Sequence, residues 1–295
     1  MLFLRMERLA RLTATAVLLA SFCCAQTMEG LGASDAGVTL NQEHISLVRE
    51  ARQNSAVSTR NPRPNVVIFT GDRVVSQFVN GSAWQTAITV VNLETHSTSF
   101  DVLFFLDNGN DFNVPIIGLS GLNRAVHVTL NPFGTLTFQT TGTASVLTSG
   151  WALLSQSNND SVGITGVFRL NLPGQQSQEA VVPAVNQFEQ HFVLPFDNTI
   201  YIMGLALANP TLNSVTVFAT IRNEQGQSID ARQLLLGPYN HTAFILPSAW
   251  SSTRGIRGTI EFVTSGFGVG ALGLRFDGIA FTSVSVLENF NWIVP

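Results

Sequence analysis

From Val66 onward, short apolar runs alternate with polar punctuation. VVIFTG, TAITVVN, FDVLFFL, AVHVTLN, TLTFQT, WALLSQ and GITGVFRL are rich in Val, Ile, Thr and Phe, with Gly, Asn, Pro and Asp between them. Many short strands with regular turn residues predict an all-β sandwich or barrel. Upstream the pattern differs. Gln26 to Asn65 has no strand alternation, and Ile45, Leu47, Val48 and Ala51 predict one weak amphipathic helix with Asn41 as its N-cap. The polar, proline-containing run SAVSTRNPRPN completes a flexible leader, residues 26–65.

The strand pattern is written twice. At an offset of 117, Ile88 and Val90 match Leu205 and Leu207, and Phe100, Val102 and Phe104 match Val217, Ala219 and Ile221. Each set is spaced by two, so it points to one face of its strand, and that face stays apolar while the letters change. The other face differs: Asp101, Leu103 and Phe105 are more apolar than Thr216, Phe218 and Thr220, so the first copy is expected to bury both faces there. Asn92 and Asn209 end the preceding strands, where an Asn bonds its own backbone or turns left-handed. LDNGN and NEQGQ close matching turns, and Asn108-Gly109 predicts a two-residue hairpin with both central residues at positive φ.

Two more blocks follow in the same order. LNPFGTLTF (130–138) matches LGPYNHTAF (236–244) at an offset of 106, which leaves an insertion in the first copy, within DFNVPIIGLSGLNR. VGITGVFR (162–169) matches GVGALGLR (268–275), aligning Arg169 with Arg275. The expectation is two tandem immunoglobulin-like β-sandwich domains, 66–187 and 188–295. The short linker around Pro183 to Phe188 predicts that they pack on each other.

Composition fits strands with neutral outward faces. Apolar residues make up 45% of the chain and charged residues 12%, against a usual charged share of about 25%. Every basic side chain is Arg, which excludes Schiff-base lysines, the phosphate-loop lysine and lysine general bases. The net charge of −4 and the lack of a basic run argue against a nucleic-acid partner.

The first 25 residues read as a signal peptide. Arg5, Arg8 and Arg11 precede the apolar run Leu12 to Phe22, and Ala25 is a cleavage position. Cleavage would leave a mature chain with no cysteine and no transmembrane segment, exported to the periplasm, the cell surface or the medium. The alternative is lipid attachment at Cys23 or Cys24, although Phe22 fits poorly before a modified cysteine.

Taken together, FVNGSAWQTAITVVN, GWALL and GVFR in the first copy carry a resemblance, with FVLPFDNT, LALANP, GPYNHTAF, RGTIEF and LGLRF in the second. The chain resembles the tandem Ig-like β-sandwich modules of secreted or surface-attached bacterial proteins, over most of 75–286. The resemblance implies export and a sandwich pair. Its motifs are turns and core strands, so it brings no catalytic residues and no cofactor.

Candidate chemistry is sparse. Gly268 to Gly273 spells G-x-G-x-x-G, but a strand follows where a nucleotide fold needs a helix, so close sheet approach is expected instead. Asp107 and Asp111 flank a hairpin tip and form a calcium candidate, since hard cations want clustered oxygens. His44, His96, His127, His191 and His241 have no metal-ligand spacing, and no Ser lies in a nucleophile elbow. Glu261 alternates with Ile260 and Phe262, so it is expected to face solvent. Of Trp84, Trp151, Trp250 and Trp292, the loop residue Trp250 is the sugar-stacking candidate, with Trp84 and Trp151 structural. Arg169 and Arg275 are expected to tie down matching strand ends. The favoured function is therefore non-catalytic: surface structure, adhesion or contact with a protein or surface polysaccharide. The alternatives are a carbohydrate-binding protein, a hydrolase with its site at the domain interface, and strand pairing with a partner at a sheet edge.

Overall fold

The computed structural model describes residues 72–156, 159–185, 190–266 and 268–288. The signal peptide, Cys23 and Cys24, the leader with its helix, and Trp292 lie outside the described residues. The described residues are mostly strand, as the alternation predicted. The first copy supplies β1 (Arg73–Asn80), β2 (Trp84–Asn92), β3 (Thr98–Leu106), β4 (Val114–Pro115) and β5 (Leu122–Asn123). It continues with β6 (Ala125–Leu130), β7 (Thr135–Gln139), β8 (Thr148–Ser155), β9 (Val162–Leu170) and β10 (Gln178–Val185). The second supplies β11 (His191–Asp197), β12 (Ile202–Ala208), β13 (Val215–Asn223), β14 (Ser228–Leu236) and β15 (His241–Ile245). A one-turn helix α1 (Leu246–Ala249) precedes β16 (Arg257–Thr264), β17 (Gly270–Asp277), β18 (Ala280–Val284) and β19 (Leu287–Glu288).

The strand order repeats. In the first copy β6-β3-β8-β1 continues through β10-β9-β2-β7 as one eight-stranded sheet; in the second, β14-β13-β16-β11-β19 and β15-β12-β17-β18 are separate sheets. Replacing each strand by its counterpart turns one order into the other, and the pairings are antiparallel. The difference lies at the seam. β1 pairs with β10 at Val74–Val185 and Val75–Ala184, whereas β11 pairs with the short β19.

The matched asparagines explain why the turns recur. Asn92 and Asn209 are fully buried. Asn92 Nδ2 donates to the carbonyls of His96, Leu130 and Asn131, and its Oδ1 accepts from the Glu94 N–H. Asn209 Nδ2 donates to Asn213, Leu236 and Gly237, and its Oδ1 accepts from the Thr211 N–H. Each side chain thus satisfies backbone groups of two loops that would otherwise be buried without partners, a loss of roughly 1–3 kcal/mol per group. The aromatic after each turn proline, Phe133 or Tyr239, has positive φ, 56° and 57°.

One turn prediction needs correction. Of Asn108 and Gly109, only the glycine has positive φ, 79°. The Gly109 N–H donates to the Leu106 carbonyl and the Leu106 N–H to that of Asn110, a three-residue loop with the glycine in the left-handed position. Gly226 repeats this geometry, with φ of 76°. The extra residue relieves Asn108 of the strained conformation that a two-residue loop demands.

Each copy has an apolar interior. Phe78, Ile88, Phe104, Phe138 and Phe168 lie in the first; Phe192, Leu194, Leu205, Val217, Ile260 and Phe262 fill the second. β3 buries Val102, Leu103, Phe104 and Phe105 in succession, as expected, because its outward face meets the second copy.

Candidate functional site

The two copies meet along β1, β8 and β10 on one side and β12, β15, β17 and β18 on the other. Outward residues of the second copy, Ala206, Ala243, Ile245, Leu272, Leu274 and Phe276, join the first copy's apolar cluster. Two glycines of the G-x-G-x-x-G run are packing residues. A Cβ on Gly270 would lie 2.7 Å from Ser76 Oγ, and one on Gly273 would lie 2.6 Å from Leu194 Cδ1. They permit the close approach expected of them.

An aromatic stack marks one end of this interface. Phe105, Trp151 and Tyr239 cluster with near-parallel planes, Phe105 having its ring centroid 4.6 Å from Trp151 and 5.2 Å from Tyr239, which are 6.5 Å apart. Trp151 Nε1–H donates to the Tyr239 carbonyl at 2.8 Å. Beside it, the first copy's hairpin tip seats against the second copy's turn. The His241 N–H donates to the Asp107 carbonyl, and His241 Nδ1 lies 2.7 Å from Asp107 Oδ1. Ser149 Oγ donates to both carboxylate oxygens of Asp107, at 3.0 and 3.1 Å. Asn240, with its amide turned to satisfy both ends, donates to the Asn108 carbonyl at 3.0 Å.

Ser149, Asp107 and His241 are the elements of a nucleophilic triad in the wrong order. The serine hydroxyl is spent on Asp107, and His241 Nε2 is buried with no hydrogen-bond partner. A general base needs its free nitrogen on the nucleophile. The geometry instead makes Asp107 a bridge between copies.

The calcium pair is divided by other partners. Asp107 holds His241 and Ser149, while Asp111 lies 3.4 Å from Arg124. Among the described residues no three His, Cys, Asp or Glu side chains gather as metal ligands. Each described histidine instead faces one carboxylate: His96 with Asp160, His127 with Asp101, His191 with Glu261 and His241 with Asp107.

Glu261 points outward from its strand, as expected, but is not simply solvated. Its carboxylate lies 2.8 Å from Arg222 and 2.9 Å from His191. The Arg222 guanidinium first, and then His191, holds the carboxyl below the usual range against an opposing desolvation penalty. The ladders show what this face is. Phe105 lies opposite Trp151 and Leu103 opposite Leu153; Arg222 lies opposite Thr259 and Thr220 opposite Glu261. The second copy therefore carries charges where the first carries its interface.

Two expectations are overturned. Trp250 is only 5% exposed, packed 4.9 Å from Phe244 and 6.3 Å from Phe262, so it offers no face to a sugar. It closes α1, and that helical turn swings the ring into the core. Arg169 and Arg275 are not counterparts either. Arg169 lies opposite Gln85, whose counterpart Ile202 lies opposite Phe276, so Arg275 is one residue out of register. The slip puts it on the other face. Arg169 pairs with Glu179, and Arg275 sits over the Tyr201 ring at 4.5 Å. Trp84 and Trp151 are structural, as expected, but both serve the seam between copies: Trp84 packs on Phe281 and Trp151 on Tyr239.

Around β7 of the first copy, several apolar side chains are exposed. The insertion builds the β4–β5 hairpin and leaves Ile117, Leu119 and Leu122 exposed. Its Ile117 N–H donates to Gln139 at one end of β7. Just before the other end, Phe133 is 67% exposed, and Leu136 between them is half-exposed. The second-copy equivalent of Phe133, Tyr239, is 5% exposed because the first copy covers it. The insertion was visible in the sequence, but its exposure was not. Comparison of the chain with protein-family models, with curated proteins and with solved structures finds no match.

Proposed function

We propose that the protein is an exported, non-catalytic pair of immunoglobulin-like β-sandwiches that works by contact with a protein partner at the cell surface. One observation carries this reading: the apolar rim of β7, formed by Ile117, Leu119, Leu122, Leu136 and Phe133. The insertion is surplus to the fold, since the second copy builds the same strand order without it. Scattered exposed aliphatics are ordinary, but several exposed apolar side chains on and flanking one edge strand point to an interaction surface. Phe133 strengthens the argument. A bulky residue with φ of 56° costs on the order of 1 kcal/mol, and here the ring, 67% exposed, recovers little of it by packing.

Site-specific photo-crosslinking in the producing cell tests the contact. A photoreactive residue at Leu119 should give one discrete protein adduct, lost when Ile117 and Leu122 are changed to Asp. No adduct, in cells where the folded protein is present, would overturn the reading. Fractionation of the same cells tests export: a product kept in the cytoplasm with residues 1–25 attached would contradict it.

A further inference from the structure

We propose that β14 is a self-association edge, through which two copies of this chain pair antiparallel about Ala231 to extend one sheet across a twofold axis. Among the described residues, β14 pairs with β13 and with nothing on its other side. It is nine residues long and mostly exposed, contains no proline, and keeps regular register from Asp230 to Leu236. Natural sheets usually blunt such an edge with charge, proline, a bulge or a covering segment; β14 has a bulge at Ile229, next to its hairpin, and is regular beyond it. Here the charges are Asp230 and Arg232, which neutralise each other: the guanidinium donates to Asp230 Oδ2 from Nη2 at 2.6 Å and from Nε at 3.0 Å.

The two charges also choose the occupant and the register. In a twofold antiparallel pair, facing residues share a side of the sheet, so their numbers add to an even total. A dyad at Asp230 sets Asp230 against itself, and a dyad at Arg232 sets Arg232 against itself. A dyad at Ala231 sets Asp230 of each chain opposite Arg232 of the other, giving two symmetric ion pairs. The small side chain of Ala231 lets the strands meet there. The Ala231 N–H now donates to its neighbour Asp230 Oδ1 at 2.8 Å. Pairing exchanges this local bond for one to the partner backbone, while Asp230 turns to the partner arginine. This surface belongs to the second copy and is separate from the β7 rim of the first.

Sedimentation velocity of the full chain over a wide concentration range tests the proposal. The wild type should shift from monomer to dimer as concentration rises. Arg232→Asp sets acids opposite one another and should weaken the dimer at least tenfold. The exchange Asp230→Arg with Arg232→Asp should restore it. Ala231→Pro removes the central donor at an edge position that tolerates proline, and should give a monomer with unchanged near-ultraviolet circular dichroism. A wild type that stays monomeric at every concentration overturns the proposal. So does an Ala231→Pro variant that folds and still dimerises, or a charge exchange that fails to restore what the single reversal removes.

Discussion

At the residue scale, the clearest experiments compare equivalent positions. Phe133 and Tyr239 have the same left-handed backbone, but Tyr239 stacks on Phe105 while Phe133 is exposed. Glycine relieves the backbone at either site. Phe133→Gly should leave stability unchanged or raise it by about 0.5 kcal/mol, whereas Tyr239→Gly should lose about 3 kcal/mol or more through the lost ring. Urea unfolding measures both; equal losses would show that packing does not distinguish them. Glu261 makes a pH prediction. Its folded pKa is depressed, so its contribution is complete above the unfolded carboxylate value and is lost as pH falls through the folded one. Glu261→Gln should lower stability by about 1 kcal/mol at neutral pH and give a melting temperature that declines less steeply into acid. Parallel acid limbs for both proteins would rule the linkage out.

At the element scale, one hairpin occurs in two settings. Gly109 and Gly226 share their turn, but a Cβ on Gly109 would lie 2.5 Å from the Pro238 carbonyl oxygen, and one on Gly226 meets nothing within 4 Å. Gly226→Ala should cost only the left-handed strain, roughly 1 kcal/mol. Gly109→Ala should cost that plus displacement of the docked turn, and so at least twice as much. Equal costs in denaturant titrations would show that the tip does not bear on the second copy. These elements also show what the sequence could reveal. Strands and turns were legible because alternation and Gly-Asn punctuation are local. The block SGWALL against RGTIEF was missed, although Gly150 and Gly258 make the same close approach to the facing strand. There the outward letters diverge completely: Trp and Leu meet a neighbouring copy, while Thr and Glu stand on an outer face where Glu261 pairs with Arg222 and His191. Trp250 was misjudged for a similar reason, since Phe244 and Phe262 reach it only through the fold.

At the scale of the whole molecule, the same outward face has two fates. In the first copy Leu103, Phe105, Trp151 and Leu153 are covered by the second; in the second their counterparts are the polar residues Thr220, Arg222, Thr259 and Glu261, beside exposed Phe218 and Val263. Cooperativity should depend on the covered face. Trp151→Ala removes a fully buried side chain and its bond to Tyr239, at about 3–5 kcal/mol. Calorimetry should show one transition for the wild type and two for the variant, as coupling between copies is lost. A single unshifted transition in the variant would mean that the aromatic stack contributes nothing to that coupling.

The pairing of β1 with β10 bears on how the chain is made. Val74 finds Val185 only after the whole first copy has been synthesised, and its other neighbour, Leu153, arrives late as well. Contacts so distant in sequence put folding in the range of milliseconds to seconds. Until then VVSQFV is an apolar segment with no place to go, and a nascent chain in that condition is a substrate for holdase chaperones.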